Sequence, residues 1–124
     1  MNRLAAACFA IAAVIHLIPI LGALSASRLE SLYGFPVDAP SLEIVLRHRA
    51  VTIALVGALL AVAVVRPELR GLAGLVGLAS MGTYVLFVLL VGDANAALLR
   101  VLYVDLVGIV VLGAGLTFDR ARLA

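Results

Sequence analysis

Lysine is absent, cysteine occurs once, and charged residues make up only 13% of the 124 residues. Each shortage excludes a class of protein. With 65% hydrophobic residues and a mean hydropathy of +1.26, too few polar side chains remain to cover a water-soluble core. Cys8 has no partner for an internal disulfide, and no Cys/His spacing resembles a zinc site. All nine basic residues are arginines at the ends of apolar runs, and the formal net charge is +2. Arginines so placed set membrane topology and meet headgroups, so nucleic acid is not an expected partner and membrane lipids are.

The long uncharged runs are what the chain has in abundance. Spans at about 4–24, 44–65, 71–91 and 97–118 each approach the ~20 residues that cross a bilayer core, and one domain takes up residues 1–124. The first is longer than the roughly 7–15 residues of a signal-peptide core, so it reads as an uncleaved helix. Pro19 falls within it and is expected to kink it or to sit in its last turn. The second starts near Ser41, a candidate N-cap after Pro40, and ends at Arg66-Pro67. Residues 66–70 and 92–96 leave room only for tight turns, with Asp93 or Asn95 as the cap of the last span. The first connection is longer. Ser27-Arg28-Leu29-Glu30 reads as a capping box, Gly34 as the stop and Pro36 just beyond. The expected fold is an all-α membrane protein: an antiparallel bundle of four transmembrane helices, with a short interfacial helix over its mouth. Arg3, Arg66, Arg70, Arg120 and Arg122 on one side outnumber Arg28, Arg47, Arg49 and Arg100 on the other. That bias puts both termini on the cytoplasmic side.

Lipid gives helices no hydrophobic reason to meet, so small residues mark the faces that pack. Projected at 100° per residue, His16 shares a face with Ala5, Ala12 and Ala23. Arg47 shares one with Ala50, Ala54 and Gly57; Tyr84 with Ala73, Gly77 and Ser80; and Asp105 with Gly108 and Leu112. Arg49 falls on the other side of its helix and is expected to snorkel to the interface. Counted at about 1.5 Å per residue, His16, Tyr84 and Asp105 lie at one depth, with Arg47 reaching down to them. An ionised Asp105 alone near mid-bilayer costs on the order of 3 kcal/mol, which pairing with Arg47 or His16 and a bond from Tyr84 would offset. The expected ligand-binding set is therefore His16, Arg47, Tyr84 and Asp105, with His48, Asn95 and Arg100 around it. Beside this stands the plainer reading, in which buried polar groups only hold helices together, with His48 and Arg100 as interface anchors and Asn95 as a cap. No two metal ligands stand at i, i+4 on one helix, so no metal or cofactor is expected, and no spacing assigns a catalytic residue.

Leu32-Tyr33-Gly34-Phe35, the run Leu42-Glu43-Ile44-Val45-Leu46-Arg47-His48-Arg49-Ala50, Arg66-Pro67, Asn95 and Asp105 together resemble a set of small bacterial membrane proteins. These are uncharacterised four-helix proteins, distantly similar to the DoxX group, and often labelled phosphopantetheine adenylyltransferase. That label implies a soluble nucleotidyltransferase, and the residues oppose it: there is no strand–helix alternation and no Gly-rich turn for a phosphate. The resemblance implies an architecture and no activity. Three functions compete. One is a site for a lipophilic small molecule, which an Asp–His pair and an arginine could also act on. A second is a small proton-coupled transporter, for which the acid would be expected on the first helix. The third is a structural subunit or homo-oligomer.

Overall fold

A computed structural model describes residues 2–120. They form five α-helices: α1 (Arg3–Leu17), α2 (Ala26–Tyr33), α3 (Pro40–Val65), α4 (Arg70–Val91) and α5 (Ala96–Arg120). Two 3₁₀ segments, Ile18–Ala23 and Pro67–Leu69, lead from α1 and into α4, and no strand occurs among the described residues. Arg122, counted above for topology, lies outside them. Four of the helices, α1 with its 3₁₀ extension and α3 to α5, are long and apolar enough to cross a membrane. The chain is accordingly compatible with a multi-pass integral membrane protein. Leu89, Val110 and Val65 lie about 70% exposed on its outside, an arrangement that favours hydrocarbon over water.

The ends of the helices follow from local chemistry. Asn2 caps α1, its side-chain oxygen accepting from the amides of Leu4 and Ala5, and its amide nitrogen donates to Phe118 O at the far end of α5. Pro19 has no amide hydrogen to continue α1, and the chain tightens there to 3₁₀ geometry. The cap of α2 is Ser25, not Ser27: Ser25 Oγ accepts from Arg28 N. Glu30, expected to complete the box, instead accepts from Val37 N and folds the following loop back onto the helix. Gly34 ends α2 at φ 71°, a left-handed conformation that a side chain disfavours. Helix α3 opens with Pro40 in its first turn and no side-chain cap, so Ser41 is not the cap.

Phe9, Leu60, Met81 and Leu112, one from each long helix, are fully buried at the centre. Helices approach most closely at glycines. A Cβ added to Gly57 would stand 3.1 Å from the His16 backbone and 2.9 Å from Leu17, so α3 meets α1 at that level with no room for a side chain.

One arginine joins all four long helices. Arg70, 1% exposed, donates from Nε to Ala63 O and from Nη2 to Val64 O, taking up carbonyls that the end of α3 leaves open. Nη1 reaches Asp119 on α5 at 2.6 Å, and the guanidinium lies 5.9 Å from the ring centroid of Phe9 on α1. Sequence reading places Arg70 among the surface charges; the structure buries it. Replacing Arg70 with Leu would leave those carbonyls and Asp119 without partners. The expected cost is about 3 kcal/mol, the lower end for a broken buried pair because Asp119 remains a fifth exposed. Arg66→Leu, which removes an exposed pair with Glu68, should change stability by less than about 1 kcal/mol. Thermal unfolding in detergent, followed by circular dichroism, checks both.

Candidate functional site

At the end of the bundle away from Arg70, below α2, a cavity of about 230 Å³ opens between the helices. His16, Tyr84, Asp105 and Arg100 line it, and so do Arg49 and Tyr33. The tightened segment after α1 supplies Ile18 and Pro19 to its wall, and α2 supplies Tyr33 as part of its roof.

Each polar group is held differently. His16 is 2% exposed, and its Nδ1 lies 2.9 Å from Ala12 O. A carbonyl only accepts, so Nδ1 carries the proton and Nε2 is left as an acceptor. Tyr84 donates to Leu98 O at 3.0 Å, tying α4 to the first turns of α5 rather than serving Asp105. Arg49 Nη1 donates to the Tyr33 hydroxyl. Its guanidinium lies 5.3 Å from the Tyr33 ring centroid and 5.7 Å from that of Tyr84, a cation held against two aromatic faces. Asp105 forms neither a hydrogen bond nor an ion pair among the described residues. Every fully buried side-chain nitrogen or oxygen there has a partner. The unbonded Asp105 carboxylate and His16 Nε2 are therefore open polar atoms, and both residues face the cavity.

Arg47 is not part of this arrangement. It is 46% exposed, pairs with Glu43 one turn earlier at 3.1 Å, and donates from Nε to Ala23 O. The small-residue face of α3 does turn toward α1, as Ala50, Ala54 and Gly57 are buried there. Arg47 lies on that side but above the cavity, level with the end of the 3₁₀ segment. Arg49 and Ile53 are on a different side of α3, which faces α2 and α4. A helix inside a bundle has more than one buried side. Leu60 is buried completely, whereas Ala58 and Ala61 are exposed. Arg49 thus enters the protein instead of snorkelling away, and its distinguishing signal is the Arg49–Ile53 spacing on the larger-residue side.

His48 is exposed on α3 outside the cavity. Asn95 does not line it either, but fixes its roof. Its Oδ1 accepts from Leu98 N as the cap of α5, while Nδ2 donates to Tyr33 O at 2.8 Å. Of the seven expected residues, the structure brings His16, Tyr84, Asp105 and Arg100 together and leaves Arg47, His48 and Asn95 outside. Tyr33 enters the sequence reading only within the Leu32-Tyr33-Gly34-Phe35 run of the resemblance. No group of three or more metal-ligating side chains occurs among the described residues. Comparison with protein-family models, curated proteins and solved structures yields no match to this chain.

Asn95→Ala removes a cap and the tie to α2 together and should destabilise by about 1–2 kcal/mol. Arg47→Gln, which removes an exposed pair, should cost less than about 1 kcal/mol. Limited proteolysis across residues 25–39 should also speed up in Asn95→Ala alone, because only that change frees α2.

Proposed function

We propose that this is an integral membrane protein whose polar cavity binds the polar end of a lipophilic small molecule or lipid. The observation that carries the reading is Asp105. A carboxylate inside a membrane span, set among helices and bonded to nothing among the described residues, lowers stability without holding helices together. A partner from outside the chain accounts for it better than a structural role. Arg49, Arg100 and the Nε2 of His16 supply further donors and an acceptor on the same walls.

The arrangement of ends supports an antiparallel bundle. The start of α1 touches the end of α5, and the start of α4 touches the ends of α3 and α5. The buried Leu29 and Tyr33 of α2, with Arg28 and Glu30 exposed, support a helix lying flat at the membrane surface. We place the cavity in the half of the bilayer beneath that helix, and both termini on the cytoplasmic side of a bacterial inner membrane, from the arginine bias. Kinship with the small DoxX-like bacterial proteins is part of the proposal and rests on the Arg47-His48-Arg49 run and its neighbours.

Asp105→Leu separates binding from helix adhesion. If the carboxylate serves a ligand, the variant should unfold at the same temperature as the parent protein or higher, because an uncompensated polar group has gone. Native mass spectrometry of the detergent-purified protein should show its co-purifying lipophilic molecule reduced at least about tenfold, the worth of one hydrogen bond to a charged group. A lowered unfolding temperature with the same bound complement would make Asp105 structural and defeat the reading.

A further inference from the structure

The cavity is too small for a lipophilic molecule by itself. Small-molecule sites enclose about 300–1,000 Å³, and this one encloses about 230 Å³. A second hollow, a groove of about 440 Å³ open to the outside, lies directly beside it between α3 and α4. Leu46, Ile53, Thr83 and Phe87 line the groove, and Phe87 is 61% exposed. Tyr33, Arg49, Ile53, Ser80 and Tyr84 belong to the walls of both hollows, so the Arg49 guanidinium over its two tyrosine rings is the partition between them.

The hydrogen bonding of that guanidinium is incomplete. Arg70, at the other end of the bundle, uses all three of its nitrogens. Arg49 uses only Nη1, leaving the Nε–Nη2 edge without an acceptor among the described residues. That edge is the one that grips a carboxylate or phosphate with two parallel bonds. Arg100 adds a second cation to the cavity wall against the one carboxylate of Asp105.

Building on the reading of the cavity as a ligand site, we propose that cavity and groove form one site for a single-chain amphiphile with an anionic head. The molecule enters sideways from the bilayer between α3 and α4. Its chain lies along Ile53 and Phe87, and its head takes the open edge of Arg49 with Arg100 near it. Asp105, deeper in, is joined to the head by a water that donates to both anionic groups.

The chain contains no tryptophan, so Phe87→Trp installs a single fluorophore in the groove, at an exposed position that tolerates it. The probes are dibrominated stearate and the matching dibrominated alcohol, added to the full-length protein in lipid nanodiscs. Stearate should quench the Phe87→Trp fluorophore saturably, whereas the same replacement at the lipid-facing Leu89 should be quenched only in proportion to probe concentration. The alcohol should bind at least about tenfold more weakly than the acid. Arg49→Gln should weaken the acid by a similar factor, leave the alcohol unchanged, and be partly restored by Arg49→Lys. Equal binding of acid and alcohol, or non-saturable quenching in the Phe87→Trp protein, overturns the inference. The acid–alcohol comparison needs no change at Arg49 and so holds even if Arg49→Gln fails to fold. Should the inference fail while Asp105→Leu still strips the co-purifying molecule, the cavity stands with a different ligand. Retention of that molecule in Asp105→Leu would remove the cavity reading itself.

Discussion

Hydrocarbon offers no hydrogen-bond partner, so a polar side chain inside a membrane span must find one within the protein or in something the protein holds. The two ends of this bundle meet that constraint in opposite ways. At one end Arg70 is closed off: its nitrogens complete the last turn of α3, its charge meets Asp119, and its face covers Phe9. At the other end Asp105, His16 and Arg49 converge on the cavity and keep bonding capacity that no described residue takes up. The same residue types thus serve as cement at one end and as an opening at the other. The difference lies in how many partners each one finds.

The open end is kept in shape from above. Helix α2 has too few residues to be stable alone, and it is held by contacts from elsewhere in the chain: Leu29 packs beside Gly22, and Asn95 grips the carbonyl of Tyr33. Tyr33 in turn accepts from Arg49. A single run of contacts therefore leads from the cap of α5, through the roof, to the partition between the cavity and the groove.

The architecture was readable because composition and run length alone identify four apolar helices. The site was only partly so. His16, Tyr84 and Asp105 came from helical projection onto faces bearing small residues, a rule that finds the closest contact of a helix and overlooks its other buried sides. Arg47 and Arg49 show the consequence. Two positions apart, they stand about 200° around α3, and both sides are covered, one by α1 and one by α2 and α4. Which arginine meets the cavity depends on where α1 stops, and no residue within α3 encodes that. The cap of α2 at Ser25 rather than Ser27 was hidden for a similar reason, because Glu30 is committed to Val37 in a loop whose path sequence does not specify. Arg70 was hidden for a further reason: its partner Asp119 is 49 residues away, and only the assembled bundle brings them together.

The tightened segment after α1 has a geometric effect on the whole first span. Six residues in 3₁₀ form rise roughly 12 Å, where the same six in an α-helix would rise about 9 Å. The span with the fewest residues, 21 from Arg3 to Ala23, is thereby lengthened by about 3 Å to roughly 34 Å, against the ~30 Å thickness of a hydrocarbon core. Proline thus narrows the difference in length between the shortest crossing and the three longer ones, in the segment whose Ile18 and Pro19 stand in the cavity wall.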